Sequence, residues 1–202
     1  MPARLKVGIY GGTFDPPHNA HINLARFALA KLSLDLIYIV PAKGHALKNN
    51  EGITPAEIRF ELVKSAFADE EKIRVSRIEL DGPETSYTIA TLEQFAEYEN
   101  LGQTELYYLI GADNMMELHL WKEPDRIFNL ATLVVLRRPG YQSARQQLPF
   151  SGNVEFLDSP HYNISSTEIR ERIRTGQTVK HLIPQNVYKL IERYRLYRPL
   201  NS

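Results

Sequence analysis

Two histidines, His18 and His21, follow the run Gly11-Gly12-Thr13-Phe14-Asp15-Pro16-Pro17. In the first turn of a helix, residues at this spacing share a face, so both imidazoles point into one space. The apolar run Val7-Gly8-Ile9-Tyr10 ahead of them reads as a strand. The glycines read as a tight turn that lets the backbone approach a ligand closely. The N–H groups of a helix start suit an anion. Together these parts describe a phosphate site with two imidazoles aimed into it. The pattern is neither Gly-x-Gly-x-x-Gly nor a Gly-Lys-Ser/Thr loop, which removes the main support for a dehydrogenase or a P-loop ATPase. As zinc ligands the two histidines would need further partners, and without cysteine these would have to be distant His, Asp or Glu.

A second stretch with the same chemistry is Ile164-Ser165-Ser166-Thr167-Glu168-Ile169-Arg170. Ser165 with Glu168 fits a capping box. A capped helix start still presents N–H groups, and Ser166 and Thr167 add hydroxyls. Arg170 lies one turn further on, on the face shared by Ser166 and Thr167. Two anion-suited helix starts, at opposite ends of the sequence, can grip one polyphosphate from two sides.

The elements that must position these stretches alternate between strand and helix. Apolar, β-branched runs mark strands at Leu5–Tyr10, Leu36–Val40, Ile73–Ile78, Leu106–Ile110, Ala131–Leu136 and Val154–Leu157. Between the first two, Ile22, Ala25, Leu29 and Leu32 fall at helical spacing. Pro55 opens a helix over 56–68, and another covers Thr88–Tyr98. Two helices, over 166–175 and 185–197, finish the chain. This order predicts an α/β fold: a Rossmann-like three-layer α/β/α arrangement with a mostly parallel central sheet and C-terminal helices. One domain over 1–202 is expected, with a helical portion from about 160 packed on it. Ligands of such a sheet bind beyond the carboxyl ends of its strands. Gly11-Gly12, Gly111-Ala112-Asp113 and Arg137-Arg138 all fall there.

Lys plus Arg and Asp plus Glu number 24 each, so the formal charge is zero. A nucleic-acid binder would show a basic excess or stripe; Arg170, Arg172 and Arg174 form only a local cluster. The absence of cysteine excludes disulfides, thiol catalysis and cysteine-ligated zinc. The N-terminus lacks the apolar core of a signal peptide, and no apolar run is long enough to span a bilayer. The expectation is a cytoplasmic protein with neither nucleic acid nor membrane as partner. A homo-oligomer stays open.

These residues carry a family resemblance. Gly11–His21 resembles the His-x-Gly-His signature of the nucleotidyltransferase α/β-phosphodiesterase superfamily, and Ile164–Arg170 resembles its Ile-Ser-Ser-Thr-x-Ile-Arg signature. With Ser86-Tyr87-Thr88, Gly111-Ala112-Asp113, Trp121, Arg137-Arg138-Pro139-Gly140, Leu182-Ile183-Pro184 and Leu196-Tyr197 between and after them, nearly the whole chain is similar to the bacterial nicotinate mononucleotide adenylyltransferases. It departs in two places. Ala20, which helix propensity favours, stands where the signature has glycine. The segment Pro41-Ala42-Lys43-Gly44-His45-Ala46-Leu47-Lys48 stands where Pro-Pro-His-Lys is usual; His45 aligns, and the basic partner is Lys48 or Lys43.

The resemblance implies transfer of AMP from ATP to nicotinate mononucleotide, giving deamido-NAD and pyrophosphate. It implies His18, His21 and Arg170 as the catalytic residues. ATP would be held by these three with Gly11, Gly12, Thr13, Phe14, Gly111, Asp113, Arg138, Ile164, Ser165, Ser166 and Thr167. Asp15, His45, Lys48, Tyr87, Thr88, Trp121 and Lys122 would meet the mononucleotide, with Trp121 stacked on the pyridine ring. Backbone amides near Trp121 and Lys122 would favour the nicotinate carboxylate over an amide. No residue is assigned as a metal ligand, because magnesium would ride on the phosphate oxygens. From the residues alone, Asp113 reads equally as a helix N-cap, Arg138 as a solvated strand-end charge, and Trp121 as core. Competing activities are adenylyl transfer to nicotinamide mononucleotide or phosphopantetheine. From another class comes a nucleotide sensor without turnover.

Overall fold

Alternate side chains of one central strand feed two separate cores. The computed structural model describes residues 4–44, 52–83, 86–98, 104–111, 115, 117–137 and 154–199. Its strands are β1 (Leu5–Gly12), β2 (Leu36–Pro41), β3 (Ile73–Val75), β4 (Thr104–Gly111), β5 (Ala131–Arg137) and β6 (Val154–Asp158). They form one sheet in the order β3-β2-β1-β4-β5-β6, every neighbouring pair parallel. A parallel ladder needs crossover connections; the first four of the described helices lie between strands and the last two follow β6. The helices are α1 (Asn19–Lys31), α2 (Ala56–Ala66), α3 (Thr88–Tyr98), α4 (Pro124–Leu130), α5 (Ser166–Arg174) and α6 (Gln185–Arg193), with a 3₁₀ turn at Leu118–Leu120.

Val7, Ile9, Tyr108, Ile110, Leu133 and Val135 pack with Ile89, Leu92 and Phe95 of α3 and Ile127 of α4. Tyr10, Leu109, Val134 and Leu136 face the opposite side and pack with Ile22, Ala25 and Ala28 of α1 and Val63 of α2. The period of two along each strand thus separates two layers, as in a doubly wound sheet. A third cluster joins Leu62 of α2 to Ile169 of α5 and to Val187 and Ile191 of α6. That cluster brings the C-terminal helices beside α2, and so beside the β1–α1 turn.

Several expectations shift by a few residues, each for a local reason. β3 stops at Val75 because it is the edge strand and pairs only with β2. α6 stops at Arg193 because Arg195 and Tyr197 take left-handed backbone, at φ 51° and 65°. α4 was not expected; its signal is a proline in its first turn, after Glu123 in the left-handed region at φ 52°. Among the described residues, no helix is long and apolar enough to cross a membrane.

Candidate active site

The strand order reverses between β1 and β4, and the carboxyl ends of these two strands form the crevice where such sheets bind ligands. β1 runs further than its sequence pattern indicates: Gly11 and Gly12 still pair with Val40 and Pro41 of β2. The glycines are therefore strand residues and not the turn. A side chain at Gly11 would put its Cβ 2.8 Å from the Tyr108 hydroxyl, and one at Gly12 would sit 3.0 Å from the Phe14 ring. The turn itself is made by Phe14, at φ 50°. Its buried ring meets Tyr10 edge-on at 5.6 Å and His21 at 4.9 Å. Phe14 thus acts as the wedge that sets the His21 imidazole.

His18 is the N-cap residue of α1, with extended backbone at φ −144° and ψ 171°. Its N–H donates to Nδ1 of His21 at 3.2 Å. A neutral imidazole has one donor and one acceptor nitrogen, so this bond leaves the His21 proton on Nε2. The two rings stack at 3.7 Å with an 18° tilt. Nδ1 of His18 is buried and has no hydrogen-bond partner among the described residues. Burial lowers the His18 pKa to about 4. Burial, and then the neighbouring His18, hold His21 well below the usual histidine range. At neutral pH both rings are uncharged. The backbone contributes less at this helix start than the sequence suggests, because the N–H of Asn19 is taken by the Leu182 carbonyl at 2.9 Å. The imidazoles therefore stand beside a backbone start that has lost one of its N–H donors.

This neutrality has a measurable consequence. An unfolded histidine titrates near 6.5. Between there and the lower folded values, the unfolded chain binds protons that the folded chain does not, so stability falls as pH falls through that window. Thermal melting from pH 7 to pH 5 should show a declining midpoint without ligand. His18→Gln and His21→Gln should each flatten the decline; an unchanged slope in both would contradict the buried neutral pair.

The second stretch arrives from the far end of the chain. Ser165 caps α5, its hydroxyl accepting the N–H of Glu168 at 3.1 Å. Ser166 donates its hydroxyl to the Pro16 carbonyl at 2.8 Å. Arg170 donates from Nη1 to the Asp15 carbonyl at 2.7 Å and from Nη2 to the Thr167 hydroxyl at 3.3 Å. The start of α5 is therefore fastened onto the turn that carries the histidines. A cleft of about 440 Å³ opens between them, lined by His18, His21, Gly111, Ile164, Ser165 and Ser166. The Ser166 hydroxyl proton is thus committed to the Pro16 carbonyl and not offered to the cleft. The N–H groups of Ser166 and Thr167, in the first turn, have no partner within the helix.

Asp15, expected at the mononucleotide, turns inward instead. Only 3% of it is exposed. Its carboxylate accepts from the Tyr197 hydroxyl at 2.7 Å and from the Thr54 N–H at 3.2 Å. Burial beside this carboxylate drives the Tyr197 pKa upward, so its proton stays on the shared bond. Arg59, which the sequence left unremarked, is 2% exposed and donates to three carbonyls, those of Thr54, Thr13 and Lys43.

The residues expected at the pyridine ring gather on the other side of β1. Thr88 opens α3, and its side chain hydrogen-bonds the buried Tyr108 hydroxyl. Trp121 meets Tyr108 edge-on at 6.0 Å, and the Lys122 ammonium lies 5.0 Å from the centre of the Tyr87 ring. Tyr108, against Gly11, joins this aromatic group to the phosphate side. The Trp121 backbone N–H is occupied by the Leu118 carbonyl at 3.1 Å, so it does not serve a ligand. The Lys43 ammonium is anchored on the Gly82 carbonyl at 2.6 Å. His45, Lys48, Asp113 and Arg138 lie outside the described residues.

A parallel sheet of this order, with two anion-suited segments meeting over its switch point, is an arrangement suited to a nucleotide. The chain matches the cytidylyltransferase-like family over residues 9–172. It is 40% identical to the probable nicotinate-nucleotide adenylyltransferase of Clostridium tetani, with 96% of this chain and 99% of that one covered. It is 38% identical to the corresponding protein of Clostridium kluyveri, over 96% and 100% of the two chains. Among solved structures it resembles the Plasmodium falciparum nicotinic acid mononucleotide adenylyltransferase complexed with NaAD, with a TM-score of 0.73, 20% identity and 96% and 97% coverage. That similarity shows a shared fold. The chain therefore belongs to the cytidylyltransferase-like family and, within it, to the nicotinate-nucleotide adenylyltransferases.

Proposed function

We propose that this enzyme transfers AMP from ATP to nicotinate mononucleotide, releasing pyrophosphate and forming the deamido precursor of NAD. The observation that carries this reading is the fastening of α5 onto the β1–α1 turn, Ser166 to Pro16 and Arg170 to Asp15. It sets two imidazoles and the start of α5 around one cleft, with the Arg170 guanidinium bound to the same turn. Relatives named for this activity, and a fold neighbour complexed with NaAD, support the choice of substrate.

The mononucleotide phosphate oxygen attacks the α-phosphorus of ATP. An oxygen–phosphorus bond forms, the bond to the bridging α,β-oxygen breaks, and the electron pair leaves with pyrophosphate. The nucleophile is already an anion, so no general base is required. The protein supplies alignment and charge stabilisation. Nε2–H of His21 and the donor nitrogen of His18 meet the α-phosphoryl oxygens. The α5 N-terminus and Arg170 take the β- and γ-phosphates. Magnesium would be brought by ATP and would supply charge neutralisation there, which suits a site whose Asp15 oxygens are both engaged by Tyr197 and Thr54. Thr88 at the α3 start and the Lys122 amide would face the nicotinate carboxylate, which a helix N-terminus favours. The reading places the enzyme in the cytoplasm with small molecules as its partners.

Pyrophosphate release with ATP and magnesium, comparing nicotinate with nicotinamide mononucleotide, tests this. Faster release with the nicotinate form is expected; release with neither contradicts the proposal. Trp121→Ala should raise the KM for the mononucleotide and leave ATP binding largely intact, because the indole sits on the Tyr108 side of β1 and not in the phosphate cleft. Isothermal titration with each ligand separately checks it. A selective loss of ATP binding would contradict the stacking role.

A further inference from the structure

Arg59 has a buried charge that the chemistry above does not use. It lies on the inner face of α2 with Leu62 and Val63, which already fill two of the cores. Burying a guanidinium is expensive unless its donors are satisfied, and an aliphatic residue would serve packing alone. Here Nε donates to the Thr54 carbonyl at 2.8 Å, Nη1 to Thr13 at 2.8 Å and Nη2 to Lys43 at 3.1 Å. Burial lowers its pKa and the nearby charges of Asp15 and Glu79 oppose that, but among the described residues its hydrogen bonds go to carbonyls and not to a carboxylate.

All three carbonyls belong to the frame of the phosphate cleft. Thr13 precedes Phe14, whose ring is packed against His21. Thr54, held through its carbonyl, donates its own N–H to Asp15, whose carbonyl receives Arg170. Lys43 continues directly from β2, the strand that pairs with Gly11 and Gly12.

We infer that Arg59 is a positioning residue for the transfer reaction: its three-pronged grip on Thr13, Lys43 and Thr54 sets where the turn presents the imidazoles and receives Arg170. This rests on the AMP-transfer reading for its kinetic test. A lysine keeps the charge but cannot span three carbonyls with a planar fork. Misplacement of a reacting group by about 1 Å can cost ~10²-fold in rate.

The test uses the full chain with Arg59→Lys and Arg59→Met, rates being expressed per folded molecule. Both variants should lose about 10²-fold in kcat. Their KM values for both substrates should stay within about threefold of the parent, because ground-state binding is not what the grip supplies. ¹⁵N NMR of the imidazoles should show a changed signal at His21 Nδ1 as its bond from the His18 N–H is disturbed. Folded variants with parental kcat and parental imidazole signals overturn the inference, and so does failure of both variants to fold, which would give Arg59 a role in the fold alone. If the parent chain released no pyrophosphate, the AMP-transfer reading would fall, and the imidazole signals would still decide the positioning.

Discussion

Replacing His21 by alanine lowers turnover about 10²–10³-fold, the usual cost of removing one preorganised donor from a developing oxyanion. The ring holds its proton on Nε2 because Nδ1 is occupied by the His18 N–H. What the reaction loses is therefore a neutral N–H donor. Glutamine places an amide N–H near the same point, so His21→Gln should recover part of the rate that alanine loses. Asparagine, one methylene shorter, should recover less. Single-turnover kinetics with saturating substrates checks the order. Equal rates for alanine and glutamine would mean that the imidazole acts through its positive charge and not as a neutral donor.

Arg170→Met should cost more, about 10³-fold in kcat, the lower range for a guanidinium that stabilises a transferring phosphoryl group. Two of the five N–H groups of Arg170 already serve Asp15 and Thr167, which holds the guanidinium against the turn that carries the histidines. Lysine keeps the charge but cannot hold the Asp15 carbonyl and a phosphate together, so Arg170→Lys should remain far below the parent. The loss should fall on kcat, with the KM for the mononucleotide little changed, because the role proposed for the guanidinium is on the departing pyrophosphate. Steady-state kinetics separates the two. A rise confined to the mononucleotide KM would place Arg170 on the wrong substrate.

Most of this framework is legible in the sequence because it is local. The helix over Thr88–Tyr98 and the strand starting at Ala131 follow from periodicity, and the structure places them there. The two phosphate stretches are legible because each is contiguous. What binds them together is not. The Tyr197–Asp15 bond joins residues 182 apart, and nothing near either residue announces the other. Asp15 alone looks like a ligand-facing carboxylate; only the returning C-terminus shows that it is a structural acceptor. Arg59 is hidden for a different reason. An arginine on an amphipathic helix reads as solvated, although its spacing from Leu62 and Val63 puts it on the buried stripe. The glycines of β1 mislead because the same residue serves a turn or a close approach, and here Tyr108 and Phe14 demand the second.

The most direct measurement is a crystal structure with magnesium and an ATP analogue carrying a methylene between the α- and β-phosphorus atoms. The account predicts one triphosphate chain bridging the cleft. Its α-phosphate should lie within hydrogen-bond reach of His18 and His21, and its outer phosphates on the Ser166 and Thr167 N–H groups and on Arg170. A triphosphate that touches only one of these two segments would contradict it.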